Sequence, residues 1–493
     1  MENSERYKII NGNSLEILDT LQENSIDAII TDPPYGLTSI TKRFGKENSA
    51  PCKYGKDGSF SRLSKGFMGK EWDGSGIEYN VELWEKALRV LKPGGYLLAF
   101  GGSRTFHRIA CAIEDAGFEI RDTIMWLYGS GFPKSMNIGL AIDKKNGVES
   151  KVVETKTIKK LPTTGIIAHE KEGWRKGGYD IDYQVKQATN QWQGWGTALK
   201  PAFEPIIVAR KPVENSVVEN VMKYGVGGIN IDECRVPFDG QIELNIRDTS
   251  KSSEGWQRPW QQDKEKDRKR QEIAIEKANN LGRFPSNVIL TYDDTDFDEV
   301  CGGMPNTKSS GSESNYEFGN QDNPSHLYTN IKSGTHFEDE GSASRYFYCA
   351  KATKKDRDGG LYNFEEKQVD SLAGGDNDKE ELDDVSQRFR TKKKNIHPTV
   401  KPVELMQYLV RLVCPKGATI LDPFNGSGST GKAVAFENRE RDMDYKYIGI
   451  ELDKEYCEIS EARIDYALNK YEYDIKEEFE KVGQMSLFDY GID

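Results

Sequence analysis

The stretch Ile29-Ile30-Thr31-Asp32-Pro33-Pro34-Tyr35-Gly36 constrains this chain more than any other. Asp27 to Thr31 reads as a short buried strand, and two prolines turn the chain at its end. Each proline holds φ at about −65° and removes a backbone N–H, so the ladder stops and nearby carbonyls are left to accept other bonds. A carboxylate and an aromatic ring stand side by side at a strand's carboxyl end, which is where open α/β sheets hold their ligands. An accepting carboxylate, a spare carbonyl and a flat ring suit a planar group that bears an amino donor, such as adenine or cytosine. The bland alternative is a proline-rich turn with a packed tyrosine, and four residues alone do not choose between the two.

A second turn lies near the other end. Ala418-Thr419-Ile420-Leu421-Asp422 reads as a strand, Pro423-Phe424-Asn425-Gly426-Ser427-Gly428-Ser429-Thr430-Gly431 as a glycine-rich turn, and Thr430 to Glu437 as the start of a helix. Tyr445 to Ile450 is the next strand, and Glu451 ends it. Glycines 426 and 428 are expected to let backbone N–H groups approach a ligand that a Cβ would hold off. The helix amino end favours an anionic group. An acid at the end of the following strand, about 20 to 25 residues on, can accept both hydroxyls of a ribose. The Gly-Lys-Ser/Thr of a P-loop is absent, and the third glycine of a dinucleotide fingerprint does not fit. Upstream stands His397-Pro398-Thr399-Val400-Lys401-Pro402-Val403-Glu404-Leu405-Met406. His397 is read as a packing anchor for the helix that follows rather than as a base.

The remaining segments organise around these two turns. Residues 7–128 alternate strands and helices, with Ser14 as a cap, helix Val81 to Leu91 stopped by Lys92-Pro93-Gly94-Gly95, and buried strand Tyr96 to Phe100, a spacing that indicates a parallel sheet with covering helices. Residues 37–76 read as a polar lid and 129–195 as an irregular insertion with Trp174, Trp192 and Trp195. Leu199 to Arg210 is expected as the sheet's last strand, Asp263 to Lys277 as an exposed charged helix, and Arg283 to Asn287 as a turn before Val288-Ile289-Leu290. The expected division is a first catalytic half over 1–210, a region of separate function over 211–345, a return strand and charged linker over 346–394, and a ligand-binding half over 395–493.

Composition bounds the partners. With 493 residues, 36% hydrophobic and 30% charged, the chain can bury an ample core. No run of 18 apolar residues occurs and the first residues lack an apolar segment, so neither a membrane partner nor a secretory signal is expected, and the location expected is cytoplasmic. Seven scattered cysteines without a Cys-x-x-Cys pair read as reduced thiols, with no metal site. A net charge of −12 argues against a non-specific nucleic-acid coat, though local basic runs (Lys42-Arg43, Lys351 to Arg357, Arg388 to Lys394) suffice for phosphate contacts.

Asp-Pro-Pro-Tyr first, Leu199 to Arg210 next, then His397 to Met406 and Asp-Pro-Phe-x-Gly-x-Gly, in this order, resemble the beta group of DNA amino-methyltransferases. The resemblance covers residues 7–128, 199–210 and 345–466. It implies an α/β fold, a Rossmann-like methyltransferase sheet with helices on both faces, with an irregular α+β target-recognition region inserted at 211–345. It implies S-adenosylmethionine as cofactor, double-stranded DNA as partner, base flipping, and a monomer or homodimer. Asp32, Pro33, Pro34 and Tyr35 take the catalytic places. Asn13, Thr399, Lys401, Asp422, Phe424, Asn425, Gly426, Ser427, Gly428, Ser429, Thr430 and Glu451 take the cofactor places. The family usually has Gly-Asp where Gly12-Asn13 stands here, which leaves the Asn13 contact open. Asp before Pro-Pro-Tyr usually accompanies N6-adenine, and Ser there N4-cytosine. The alternatives are therefore an N4-cytosine enzyme, a DNA-binding relative without catalysis, or an RNA or protein methyltransferase. Pro51-Cys52 matches the nucleophile pair of cytosine-C5 enzymes, but its flanks do not, and Cys52 is read as incidental.

Overall fold

The computed structural model describes residues 6–35, 76–128, 135–160, 179–237, 264–292, 306–309, 339–342, 347–351, 354–370 and 390–469. Cys52, Lys42-Arg43, Trp174 and the lid expected over 37–76, apart from Gly76, lie outside them. The strands in chain order are β1 (Tyr7–Asn11), β2 (Ile26–Thr31), β3 (Leu91–Phe100), β4 (Glu119–Tyr128), β5 (Lys151–Lys160), β6 (Tyr179–Gln187), β7 (Phe203–Arg210), β8 (Val288–Tyr292), β9 (Asn306–Ser309), β10 (Asp339–Ser342), β11 (Tyr348–Lys351), β12 (Lys367–Asp370), β13 (Arg390–Lys393), β14 (Thr419–Asp422) and β15 (Lys446–Glu451). The helices are α1 (Ser14–Thr20), α2 (Val81–Val90), α3 (Phe106–Asp115), α4 (Ile138–Asn146), α5 (Val217–Tyr224), α6 (Lys264–Leu281), α7 (Lys354–Asp358), α8 (Val403–Val413), α9 (Ser429–Arg441) and α10 (Lys454–Leu468).

The chain divides into two compact units, residues 1–129 with 203–493, and residues 130–202. The first is built on a sheet of order β1-β15-β14-β2-β3-β7-β4-β8-β11. Its pairs are parallel except those made by β7, which runs antiparallel to β3 and β4. Strand β2 explains the arrangement: every residue from Ile26 to Thr31 is buried, as a strand covered on both faces must be. Alternate side chains point to opposite faces. Ala28 and Ile30 join one core with Leu405 and Leu409 of α8 and Val434 of α9. Ile29 joins the other with Leu18 of α1, Trp84 of α2 and Ile113 of α3, and so does Ile26, beyond a register shift between Ile26 and Ala28 that breaks the alternation. Helices thus cover both faces, as a Rossmann-like α/β sheet requires.

Three expectations change. Strand β7 is not the last strand; it lies inside the sheet, and β8 and β11 extend the sheet past β4. Strand β8 belongs to the stretch expected to form a separate recognition region, yet its apolar Ile289 and Leu290 are buried in the central sheet. The cap of α1 is Asn13, whose side chain accepts from Leu15 N at 3.1 Å, while Ser14 Oγ donates to the Pro423 carbonyl at 2.5 Å.

The second unit is more regular than its sequence suggests. Helix α4 and the antiparallel β5–β6 ribbon lie within it, and Gly139 of α4 sits where a Cβ would meet the Trp192 backbone at 2.9 Å. Buried Asp143 accepts from Thr189 N at 2.8 Å, Thr189 Oγ1 at 2.9 Å and Asn190 Nδ2 at 2.7 Å, which ties α4 to the segment after β6. Strand β5 is mostly Lys, Thr and Val without a regular period, whereas β6 alternates Tyr179, Ile181, Tyr183 and Val185 with polar residues, the period-2 signal of a strand with one apolar face.

Candidate active site

The two turns meet because their strands are neighbours. Strand β14 pairs with β2 through Ile420–Ala28 and Leu421–Ile29, so both run out at the same edge of the sheet. At that edge Thr31 Oγ1 donates to Asp422 Oδ1 at 2.6 Å, across 391 positions of sequence. Thr430 Oγ1 donates to Asp422 Oδ2 at 2.7 Å, and Phe424 N to Oδ1 at 3.0 Å. Burial pushes the Asp422 carboxyl up to about 6, against the pull of the two hydroxyls and the amide. Asp422 is therefore a strut that fixes one turn to the other, with both oxygens already bonded.

Asp32 and Tyr35 share their pocket with two residues from distant segments. Lys401 Nζ donates to Asp32 Oδ2 at 2.7 Å and to Tyr35 OH at 3.1 Å, and lies 3.3 Å from Glu204 Oε2. Tyr35 OH in turn donates to Glu204 Oε2 at 2.7 Å. Phe100 and Trp126, an edge-on pair, wall the ammonium at 5.0 Å and 5.7 Å from their ring centres. The Tyr35 carbonyl accepts from Thr105 Oγ1 at 2.6 Å and Tyr79 OH at 3.1 Å, which anchors the turn after the two buried prolines, Pro33 and Pro34. Asp32 Oδ1 is buried and has no hydrogen-bond partner among the described residues. A buried acceptor without a donor is expensive to hold, and such a group signals a ligand or a reactive role. Burial raises the Asp32 carboxyl above its usual range although Lys401 pulls it down.

The glycine-rich turn is held mainly from within. Burial leaves Asn425 Oδ1 bonded by Tyr447 OH at 2.8 Å and Ser460 Oγ at 3.3 Å. The fully buried Arg463 donates to the Ser427 carbonyl and to Ser427 Oγ. Gly426 and Gly428 have φ of +53° and +76°, the left-handed region that L side chains avoid. A Cβ on Gly428 would lie 2.2 Å from Ser460 Oγ, and one on Gly426 would lie 2.9 Å from His397 Nε2. The glycines are thus required by the turn and by its packing, apart from the ligand approach expected of them. His397 has a buried ring that packs edge-on near Tyr456 of α10 and holds Nδ1 at 2.8 Å from the Thr399 carbonyl, so the packing seen here is against α10 and the glycine-rich turn rather than the helix that follows.

Four groups remain partly open at this turn: Phe424, Gly426, Ser429 and Glu451. Glu451 Oε2 accepts from Gly426 N at 2.7 Å and Oε1 from Asp453 N at 2.9 Å, which orients the carboxylate while each oxygen keeps a further lone pair. Gly428 caps α9 without a side-chain bond, so the helix's first amides face the turn. An aromatic wall, an oriented acid and a helix amino end without a side-chain cap fit an adenosyl group carrying an amino-acid tail. Asn13 lies close by, since Gly12 N donates to the Glu451 carbonyl at 2.9 Å. Thr399 is exposed and meets His397 through its backbone.

Lys401 corrects an expectation. It stands in the motif assigned to the cofactor, but its ammonium is bonded to the Asp32–Tyr35 pair. Glu204 is a residue the sequence reading passed over. Its signal was a lone acid in Phe203-Glu204-Pro205, directly before the apolar run Ile206 to Ala209.

A model of the N6_N4_Mtase family, described as DNA methylase, matches residues 26–462. The chain belongs to this DNA methylase family. M.HindIII, a type II methyltransferase of Haemophilus influenzae, is 26% identical over 241 residues, 45% of this chain and 64% of that protein. YhdJ, a DNA adenine methyltransferase of Escherichia coli, is 37% identical over 71 residues, 14% of this chain and 22% of that protein. The match thus spans less than two thirds of either relative's length. The PvuII DNA methyltransferase, titled cytosine-N4-specific, superposes with a TM-score of 0.35 at 12% identity, over 94% of this chain and 93% of that one.

Proposed function

We propose that this protein transfers a methyl group from S-adenosylmethionine to the N6 amine of an adenine in double-stranded DNA. The observation that carries the reading is Asp32 Oδ1, a buried acceptor without a donor among the described residues, beside a fixed tyrosine ring. When bound, S-adenosylmethionine supplies an electrophilic methyl group. Glu451 would accept the ribose hydroxyls, Phe424 would wall the adenine, and the amino end of α9 would receive the carboxylate. The target base leaves the duplex at a cost of about a few kcal/mol and enters beside Tyr35. Asp32 Oδ1 accepts one amino hydrogen, with the Pro33 carbonyl as the expected second acceptor. Those bonds would draw the nitrogen lone pair out of conjugation with the ring and aim it at the methyl carbon; the N–C bond would form as the methyl–sulfur bond breaks with its electron pair left on sulfur, and the surplus amino proton would leave to solvent. Tyr35 is held at its hydroxyl by Glu204 and Lys401, so its face is ready before the base arrives, and orientation supplies much of the acceleration. Adenine is preferred over cytosine on the Asp that precedes Pro-Pro-Tyr and on the name that YhdJ carries.

The test is to incubate the purified protein with methyl-labelled S-adenosylmethionine and duplex DNA of mixed sequence, digest the DNA and identify the labelled nucleoside. N6-methyladenosine is expected in its deoxy form. Label in N4-methylcytosine would move the assignment to cytosine, and unlabelled DNA would overturn the reading.

A further inference from the structure

Lys401 and Glu204 form a charge pair that the reaction as written above uses only for support. We propose that both are positioning residues for methyl transfer: Lys401 keeps Asp32 ionised through Oδ2 so that Oδ1 is left for the substrate amine, and Glu204 anchors Lys401 and Tyr35. The proposal rests on the methyl-transfer reading.

Geometry supports it in three ways. The ammonium has three hydrogens, and three acceptors surround it: Asp32 Oδ2 at 2.7 Å, Tyr35 OH at 3.1 Å and Glu204 Oε2 at 3.3 Å. It has no donor left for a second ligand. Its side chain is 6% exposed, between Phe100 and Trp126, so its charge is hardly screened by water. Pro402 and α8 follow directly, which fixes the backbone from which it reaches.

The division of labour at Asp32 follows. One oxygen is tied to a cation, and the other is the buried atom without a donor among the described residues. Were the carboxyl protonated on Oδ1, that atom would carry a donor hydrogen and could no longer serve as the full acceptor for an amino hydrogen. Two other acids bear on it, Glu204 from β7 and Asp422 from β14, and Tyr35 faces it from the turn. Tyr128 of β4 faces Glu204 Oε1 at 3.5 Å. Against two negative neighbours, Lys401 is the cation that holds the proton off. Burial works against the Lys401 charge, but Asp32 and Glu204 more than restore it, so the ammonium stays protonated. Glu204 therefore has two opposed effects: it stabilises the Lys401 cation and the Tyr35 hydroxyl, and it repels the Asp32 charge.

These opposed effects give the test. Single-turnover methylation of duplex DNA is followed from pH 5 to 9 at saturating S-adenosylmethionine, for the wild type, Lys401→Met, Lys401→Arg and Glu204→Gln. Lys401→Met should lose at least about a hundredfold in rate at pH 7, and its acidic limb should move to higher pH. Lys401→Arg keeps the charge and should keep the limb near its wild-type position. Glu204→Gln should move the limb to lower pH with a smaller loss of rate. Cofactor affinity should stay within about twofold in all three, since none of these side chains lies at the glycine-rich turn. Limbs that do not move in Lys401→Met and Glu204→Gln, a Lys401→Arg limb displaced as far as that of Lys401→Met, or losses confined to cofactor affinity would overturn the proposal. Should Lys401→Met fail to fold, Glu204→Gln and Lys401→Arg still decide it. A wild type that methylates nothing would instead sink the methyl-transfer reading.

Discussion

Cofactor affinity will rise between pH 6 and pH 8, and Glu451→Gln will remove the rise. Burial pushes the Glu451 carboxyl up from its ordinary 4.5 to about 7, even though Gly426 N and Asp453 N both donate to it. In the free protein it therefore holds a proton through much of the weakly acidic range. A carboxylate accepts two ribose hydroxyls; a carboxylic acid has spent one oxygen as a donor. If the ionised form is the one that binds, about one molecule in eleven is ready at pH 6 and about ten in eleven at pH 8, an affinity gain of about tenfold. The sign for stability runs the other way. Because the folded value is the higher one, Glu451 contributes stability to the unliganded protein below about 4.5, and that contribution is lost as pH rises through about 7. Titration calorimetry with S-adenosylmethionine at pH 6, 7 and 8, in two buffers of different ionisation enthalpy, reads both the affinity and the proton released on binding. Close to one proton should leave at pH 6. A flat wild-type profile, or the same slope in Glu451→Gln, would refute the reasoning.

Asp32→Ala should abolish methyl transfer while leaving the cofactor dissociation constant within about twofold, because it removes the acceptor and touches no residue of the glycine-rich turn; turnover above about one per cent of wild type would contradict its role. Gly428→Ala should lower stability by about 2–4 kcal/mol, the left-handed backbone and the clash with Ser460 adding together, and denaturant unfolding that matches wild type would count against the packing described. Thr31→Val deletes a donor to Asp422, whose carboxyl titrates at about 6, so the loss, about 1–3 kcal/mol, should be larger at pH 8 than at pH 5; equal losses at both would mean that the carboxylate form is not what the hydroxyl serves.

How much of this was legible from the residues depends on whether the information was local. The Asp32-Pro33-Pro34-Tyr35 turn, the strand before it and the glycine-rich turn after β14 carry their own signals, in proline chemistry, apolar runs and glycine placement. Strand order does not. Val288-Ile289-Leu290 looks the same in sequence whether it pairs in a separate module or beside β4, and only the structure puts it in the central sheet. Strand β7 reads as a buried strand, but nothing in Phe203 to Arg210 says that it runs against its neighbours. Lys401 illustrates the limit best. A lysine three residues after a histidine-proline pair could serve either turn, and its partners, Asp32 and Glu204, lie 369 and nearly two hundred positions away. The expectation followed the nearer motif in the chain, whereas the ammonium follows the nearest carboxylates in space.

The pairing of β2 with β14 also sets a timetable for synthesis. Among the described residues β1 has β15 as its sheet neighbour, and β2 has β14 on one side. A ribosome that has just made Thr31 must add 391 residues before Asp422 exists to receive its hydroxyl, about 20 to 80 s at ordinary elongation rates. During that interval the strand bearing Asp32 has β3 to pair with but an open second edge, the kind of edge that other chains can dock on. Premature termination ahead of Thr419 would thus yield no half-active fragment but a sheet missing its middle.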